Sequence, residues 1–145
     1  MFFGTYEHTM DLKGRVSLPS RFRSRIPEGE ELFLVRGYEH CLWLFRNADY
    51  MDFLKQIQDA NFDKRKRNMK RWFTNGAFNV EVDKAGRIRV PVPMQEYAHL
   101  SKSVTVTGNQ DHIELWNPSE YQQYLDSTNI DELTDELVAD GVLKP

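Results

Sequence analysis

The sequence predicts an α+β fold, mainly β with peripheral helices, in which two copies of one small unit interleave as a β-barrel about a pseudo-twofold axis. Three observations predict it. Asp11-Leu-Lys-Gly-Arg-Val-Ser-Leu-Pro19 recurs 72 residues later as Asp83-Lys-Ala-Gly-Arg-Ile-Arg-Val-Pro91. Both copies alternate apolar and polar residues after the glycine, the period of a half-buried strand. Each unit then closes with an amphipathic helical stretch. A unit of four short strands and one helix buries too little surface alone, so two fused units must share a core.

The self-similarity extends beyond the nonapeptide. Gly4 pairs with Gly76, Tyr6 with Phe78 and Met10 with Val82; downstream the offset drops to 71, pairing Gly37 with Gly108, Leu44 with Leu115, Phe45 with Trp116 and Tyr50 with Tyr121. The predicted organisation is a first unit over 3–60, a basic helical insert over 61–74, a second unit over 75–130 and an acidic helix or tail over 131–145.

In the first unit, Tyr6, His8 and Met10 share one side of a strand, and Val16 and Leu18 alternate with Arg15 and Ser17. Asp11 to Gly14 reads as a hairpin turn between them: glycine takes a positive φ, and the aspartate accepts bonds from loop N–H groups. The second unit repeats this with Phe78, Val80 and Val82, the Asp83–Gly86 turn, then Ile88 and Val90 inward against Arg87 and Arg89. Pro19 and Pro91 end the strands. Short helical turns follow, holding Phe22 and Ile26, or Met94, Tyr97 and Ala98. A second hairpin comes next in each unit, Leu32–Val35 with Cys41–Phe45 and Val104–Thr107 with Ile113–Trp116. The closing helices start at the N-caps Asn47 and Asn117, the latter followed by Pro118 and by Glu120 at capping-box spacing. The insert predicts a helix with Phe62, Met69, Trp72 and Phe73 on one side. A last helix carries Ile130, Leu133, Leu137 and Val138.

Charge is divided unevenly. Residues 1–90 hold 17 Lys and Arg against 12 acids, and residues 91–145 hold 2 against 10. This implies a basic binding face with an acidic remainder, although a solvated imbalance would look the same. The single cysteine, Cys41, makes no internal disulfide and reads as a small buried hydrophobe. No run of 18 apolar residues exists, so no membrane span is expected, and the start of the chain lacks signal-peptide character; a cytoplasmic location follows.

Catalytic motifs are sparse. No His-Glu-x-x-His, Walker loop or Cys-x-x-Cys occurs, and His40 and His112 follow acids in predicted turns, where histidine is commonly a turn filler. Asp11 and Asp83 each precede an arginine by four residues, which suggests an ion pair or turn cap rather than a catalytic pair. The chain is therefore not expected to be an enzyme, and neither a cofactor, a metal nor a small-molecule substrate is implied. Lys13, Arg15, Lys84 and Arg87, on or beside two related turns, fit nucleic acid better. A two-stranded ribbon enters the major groove, and arginine can take guanine O6 and N7 together. Arg89 adds phosphate reach, and Arg21 and Arg23 lie just past the first strand. The run Lys64–Arg67 with Lys70 and Arg71 has three readings: phosphate contact, a solvated helix face, or a dock for the acidic tail. A rival class is an interaction scaffold whose tail holds a protein partner.

These motifs, with the Met-Phe-Phe-Gly start and Leu18-Pro-Ser-Arg-Phe22, make the chain resemble the MraZ family of bacterial regulators, with two SpoVT/AbrB-like units per chain. The resemblance covers essentially the whole chain. It implies the swapped-hairpin AbrB-like barrel and a ring-shaped homo-oligomer. It also implies binding to tandem repeats in double-stranded promoter DNA of the division and cell-wall gene cluster that includes its own gene, chiefly as a nucleoid-associated repressor. Carried onto this sequence, Arg15 and Arg87 are the primary DNA contacts, with Lys13 and Lys84 beside them. Ala85 stands opposite Lys13 in the repeat, so the two turns cannot make identical contacts, and Arg15 is expected to dominate.

Overall fold

The structure is a computed structural model that describes residues 1–58 and 62–144. The predicted boundary at residues 60 and 61 lies outside them. All strand pairs are antiparallel. β1 (Phe2–Thr9), β3 (Leu32–Arg36), β4 (Leu42–Arg46), β5 (Phe78–Val80), β7 (Ser103–Gln110) and β8 (Ile113–Trp116) form one sheet, and β2 (Arg15–Ser17) pairs with β6 (Arg87–Arg89) in a separate two-stranded ribbon.

The sheet order β1-β7-β8-β4-β3-β5 is a palindrome under the sequence repeat. The equivalent strands β4 and β8 meet at the centre. Outside them each unit receives the other's first strand: β1 pairs with β7, and β5 with β3. The ribbon is likewise one strand from each unit. Interleaving is thus built into every layer. β1 and β5 remain as edges, so these ladders do not run round into one closed sheet.

The turn after β1 makes only a short version of the predicted hairpin. The Asp11 N–H donates to Arg15 O at 3.0 Å and the bridge Met10↔Val16 joins the two arms, whereas β1 pairs along all 8 of its residues with β7. The longer ladder wins, and Gly108 permits it, because a Cβ there would overlap the Phe2–Phe3 peptide.

Alternation in the strands feeds two cores. Val16, Leu18, Leu34, Leu42, Leu44, Ile88, Val90, Val106 and Leu115 fill the space between sheet and ribbon. Two short helices cap that space: α1 (Ser20–Arg23) inserts Phe22 and α4 (Val92–Tyr97) inserts Met94. Phe22 meets Phe2 and Tyr6 edge-on, each with ring centres 5.4 Å apart, so its truncation to alanine costs about 3–5 kcal/mol. The opposite face of the sheet buries Val35, Cys41, Trp43, Phe45 and Trp116 under α2 (Asn47–Lys55), α3 (Lys64–Asn75) and α5 (Pro118–Asp126). Cys41 is the buried hydrophobe expected, and desolvation pushes its thiol pKa far up. Tyr50 on α2 donates to the Phe73 carbonyl and ties α2 to α3.

Four local expectations change. Asn47 is the first residue of α2 rather than its cap, a position held by Arg46 without a side-chain bond. Phe62 lies outside α3 and is fully exposed, because the Asp63 carboxylate caps the helix by accepting from the Arg65 N–H. Asn117 does cap α5, accepting from the Glu120 N–H, but the Glu120 carboxylate binds His99 Nδ1 at 2.7 Å. His112 is no turn filler. It is buried between Asp111 (2.7 Å) and Glu114 (3.2 Å), with Trp43 and Phe45 over its ring. Burial opposes its charged form, but the bonds to Glu114 and Asp111 outweigh that and raise its pKa. The last helix, α6 (Ile130–Ala139), is present with none of its residues buried.

Candidate nucleic-acid interface

Each Asp-x-x-Gly-Arg segment folds into the same carboxylate-clamped loop. Asp11 Oδ1 accepts the backbone N–H groups of Lys13 and Arg15, both at 2.9 Å, while Oδ2 takes Arg15 Nε at 2.7 Å. Asp83 does the same for Ala85 and Arg87, at 2.9 Å and 2.9 Å, and takes Arg87 Nε at 3.0 Å. Gly14 and Gly86 close the loops at φ +77° and +81°, where any other residue would be strained. The expected turn cap and the expected ion pair are therefore both made, by the two oxygens of one carboxylate.

The loops are also tied to each other. Leu18 N–H donates to Gly86 O at 2.9 Å, and Val90 N–H to Gly14 O at 2.7 Å. Between these bonds the β2–β6 register sets Arg15 opposite Arg89, Val16 opposite Ile88 and Ser17 opposite Arg87. Val16 and Ile88 point into the core, so Arg15, Arg89, Arg87 and Ser17 share the outer face. Arg15 and Arg87 are each 32% exposed, and Arg87 Nη1 also reaches Asp11 Oδ2 at 3.9 Å. The Arg15 N–H bond, aided by its guanidinium and the Lys13 N–H, holds the Asp11 carboxyl below its ordinary range; Arg87 does the same for Asp83. Both carboxylates stay charged at neutral pH and orient an arginine through Nε, leaving the Arg15 η nitrogens as donors while Arg87 Nη1 leans toward Asp11.

The other predicted residues divide. Lys13 and Lys84 are exposed on the two loops. Arg23 crosses to the other unit's loop: a Cβ at Gly86 would lie 2.6 Å from Arg23 Cδ. Arg21, on the same helix, is exposed and makes no bond to either loop among the described residues. Two members of the site escaped sequence reasoning. Gln95, the repeat partner of Arg23, covers Gly14 and donates to Val90 O at 2.8 Å, and Ser17 completes the ribbon face. The 72-residue offset was the available signal for Gln95, although neither residue carries charge. The basic helix α3 sits elsewhere, since Phe73 anchors it on the sheet face opposite the ribbon.

Fold and site together define a class: a strand-swapped, two-unit protein with a basic two-stranded face between twin carboxylate-clamped loops. Comparison with known proteins is more specific. A family model described as "MraZ protein, putative antitoxin-like" matches residues 1–72 and again 73–139. A "Transcriptional regulator MraZ" from Acetivibrio thermocellus is 37% identical over 131 residues, covering 90% of each chain. Those from Halothermothrix orenii and Mycoplasmoides gallisepticum are 38% and 39% identical, over 88% and 86% of this chain and 88% and 87% of their own. The chain belongs to the MraZ family. No helix among the described residues is long and apolar enough to cross a membrane.

Proposed function

We propose that this chain is a sequence-specific DNA-binding transcriptional regulator. It reads tandem repeats in double-stranded promoter DNA as a homo-oligomeric ring, and represses the division and cell-wall gene cluster that includes its own gene. It does so on the nucleoid in the cytoplasm, with no catalytic step and no small-molecule substrate. The units over 3–60 and 75–130 form the swapped-hairpin barrel of AbrB-like proteins, with 61–74 as insert and 131–145 as tail.

One observation carries this reading: Arg15, Arg87 and Arg89 lie together on one face of a ribbon narrow enough for the major groove. Like charges directly opposite in a ladder destabilise it; Asp11 offsets the Arg15 charge of the Arg15–Arg89 pair, and a polyanion over the ribbon would offset the rest. The relatives' name, transcriptional regulator, supports the same reading. Asp11 and Asp83 keep each guanidinium plane fixed through Nε, which prepares the η nitrogens for a bidentate contact. Lys13, Lys84, Arg89, Arg23 and Arg21 add phosphate contacts that fix register without reading sequence.

Footprinting on the region upstream of the chain's own gene tests the proposal. The expected result is protection of short repeated sites, with affinity falling steeply as salt rises because neutralised phosphates release counterions. Salt-insensitive or absent binding to that DNA overturns it.

A further inference from the structure

Two helices of opposite charge present faces that the chain itself leaves open. α3 contributes Lys64, Arg65, Lys66, Arg67, Lys70 and Arg71 and no acid. α6 contributes Asp131, Glu132, Asp135 and Glu136 and no base, with Asp140 at its C-cap. Among the described residues no α6 carboxylate makes an ion pair, nor does Lys64 or Lys70, whereas Arg65 and Lys66 sit beside Asp63.

The apolar surfaces match in the same way. Ile130, Leu133 and Leu137 recur at helical spacing to form a stripe, with Asp131 on one flank and Glu136 and Asp140 on the other. Ile130 and Leu133 are 66% and 42% exposed. On α3, Met69 and Trp72 are 38% and 39% exposed and open onto a groove of about 290 Å³ with Gly37, Tyr38 and Tyr97. Asn68, Met69 and Trp72 lie on one stripe of that helix, with Lys64 and Arg71 beside it.

We infer that α6 of one copy of this chain lies in the α3 groove of another. The apolar stripe fills the groove, and the flanking carboxylates meet Lys64 and Arg71. The chain's own groove is badly placed for its own α6. α5, which leads into α6 through Ser127–Asn129, packs on β7, whereas α3 packs on β3, and β8 and β4 lie between those strands. Because the two surfaces differ, the contact is head-to-tail, the kind that closes into a ring when the rotation allows. The inference rests on the homo-oligomer reading above and supplies the surfaces that reading lacks.

Sedimentation and light scattering of the full chain without DNA provide the test, over a range of protein and salt concentrations. One variant carries Lys64→Glu and Arg71→Glu, and a second carries Glu136→Lys and Asp140→Lys. The changes at Lys64, Glu136 and Asp140 suit their helix ends electrostatically, so those ends are not weakened, and circular dichroism checks folding. Each variant should raise the concentration of half-assembly by about tenfold or more. An equimolar mixture of the two should assemble again, because the reversed, acidic α3 of one variant then meets the reversed, basic α6 of the other, and the native α3 meets the native α6. Variants that assemble like the parent overturn this inference while leaving the ring intact. Loss of mass that mixing does not restore also overturns it, and marks docking within one chain or a folding effect. A parent chain that is monomeric throughout overturns both the inference and the ring.

Discussion

The two loops share a skeleton and differ in their surroundings. Asp11 and Asp83 clamp them with matching bonds, and Gly14 and Gly86 turn them at nearly the same φ. Around that skeleton the charges part company. Arg87 touches two carboxylates and faces Ser17, whereas Arg15 has one carboxylate and faces Arg89. Positive charge is therefore less compensated at the Arg15 end of the ribbon, and under the proposed function a phosphate or guanine gains most there. The residues that repeat, Asp, Gly and Arg, set the backbone. Those that do not, Ser17 against Arg89 and Lys13 against Ala85, set how the charge is distributed over the ribbon.

The sharpest way to break this comparison is to remove the two arginines in turn. Arg15→Ala should weaken promoter binding roughly 100-fold in a gel shift, within the 1–3 kcal/mol range of a bidentate base contact. Arg87→Ala should cost roughly tenfold, and Arg15→Lys should not restore the loss, since lysine lacks the planar fork. Equal losses for Arg15→Ala and Arg87→Ala would mean the unequal surroundings do not reach the DNA.

Stability gives a second contrast. Both glycines pay left-handed strain when replaced, but a Cβ at Gly14 would also press on the Val90 carbonyl at 2.9 Å, which is backbone. At Gly86 the obstacle is the Arg23 side chain, which can swing away. Gly14→Ala should therefore cost about 2–3 kcal/mol and Gly86→Ala about 1–2 kcal/mol in denaturant unfolding. The reverse order would show that Arg23 is pinned more tightly than its length suggests.

Much of this was legible in the sequence, for local reasons. Val16, Leu18, Ile88 and Val90 obey a period of two, and a loop built on Asp and Gly carries its own instructions, so core, turns and outward arginines could be read directly. That the two units interleave was readable from the repeat; which strands exchange was not. The turn after Met10 is a hairpin signal, and nothing within reach of it says that β1 gains more from eight residues of β7. Phe62 misled for a similar reason: its spacing suits the α3 stripe, but Asp63 caps the helix after it. Arg23 was singled out from its place in the chain, whereas its position over the other unit's Gly86 follows only from the exchange.

The smallest effect separates the carboxylates. Asp11 and Asp83 titrate below their ordinary range in the folded chain, first because the Arg15 and Arg87 N–H groups bond the charged form. A folded pKa below the unfolded one stabilises above the unfolded value, about pH 4, and that contribution disappears as pH falls through the folded pKa. Asn at either position keeps an acceptor for the loop N–H groups but loses the charge. Asp11→Asn should therefore lower the unfolding midpoint at pH 7, and the gap to the parent should close as pH drops below about 4. Asp83→Asn should follow the same course with a smaller gap, because Asp83 serves one arginine and Asp11 serves two. A gap that persists unchanged at low pH would assign the carboxylates to loop geometry alone, and would remove the electrostatic basis for ranking Arg15 above Arg87.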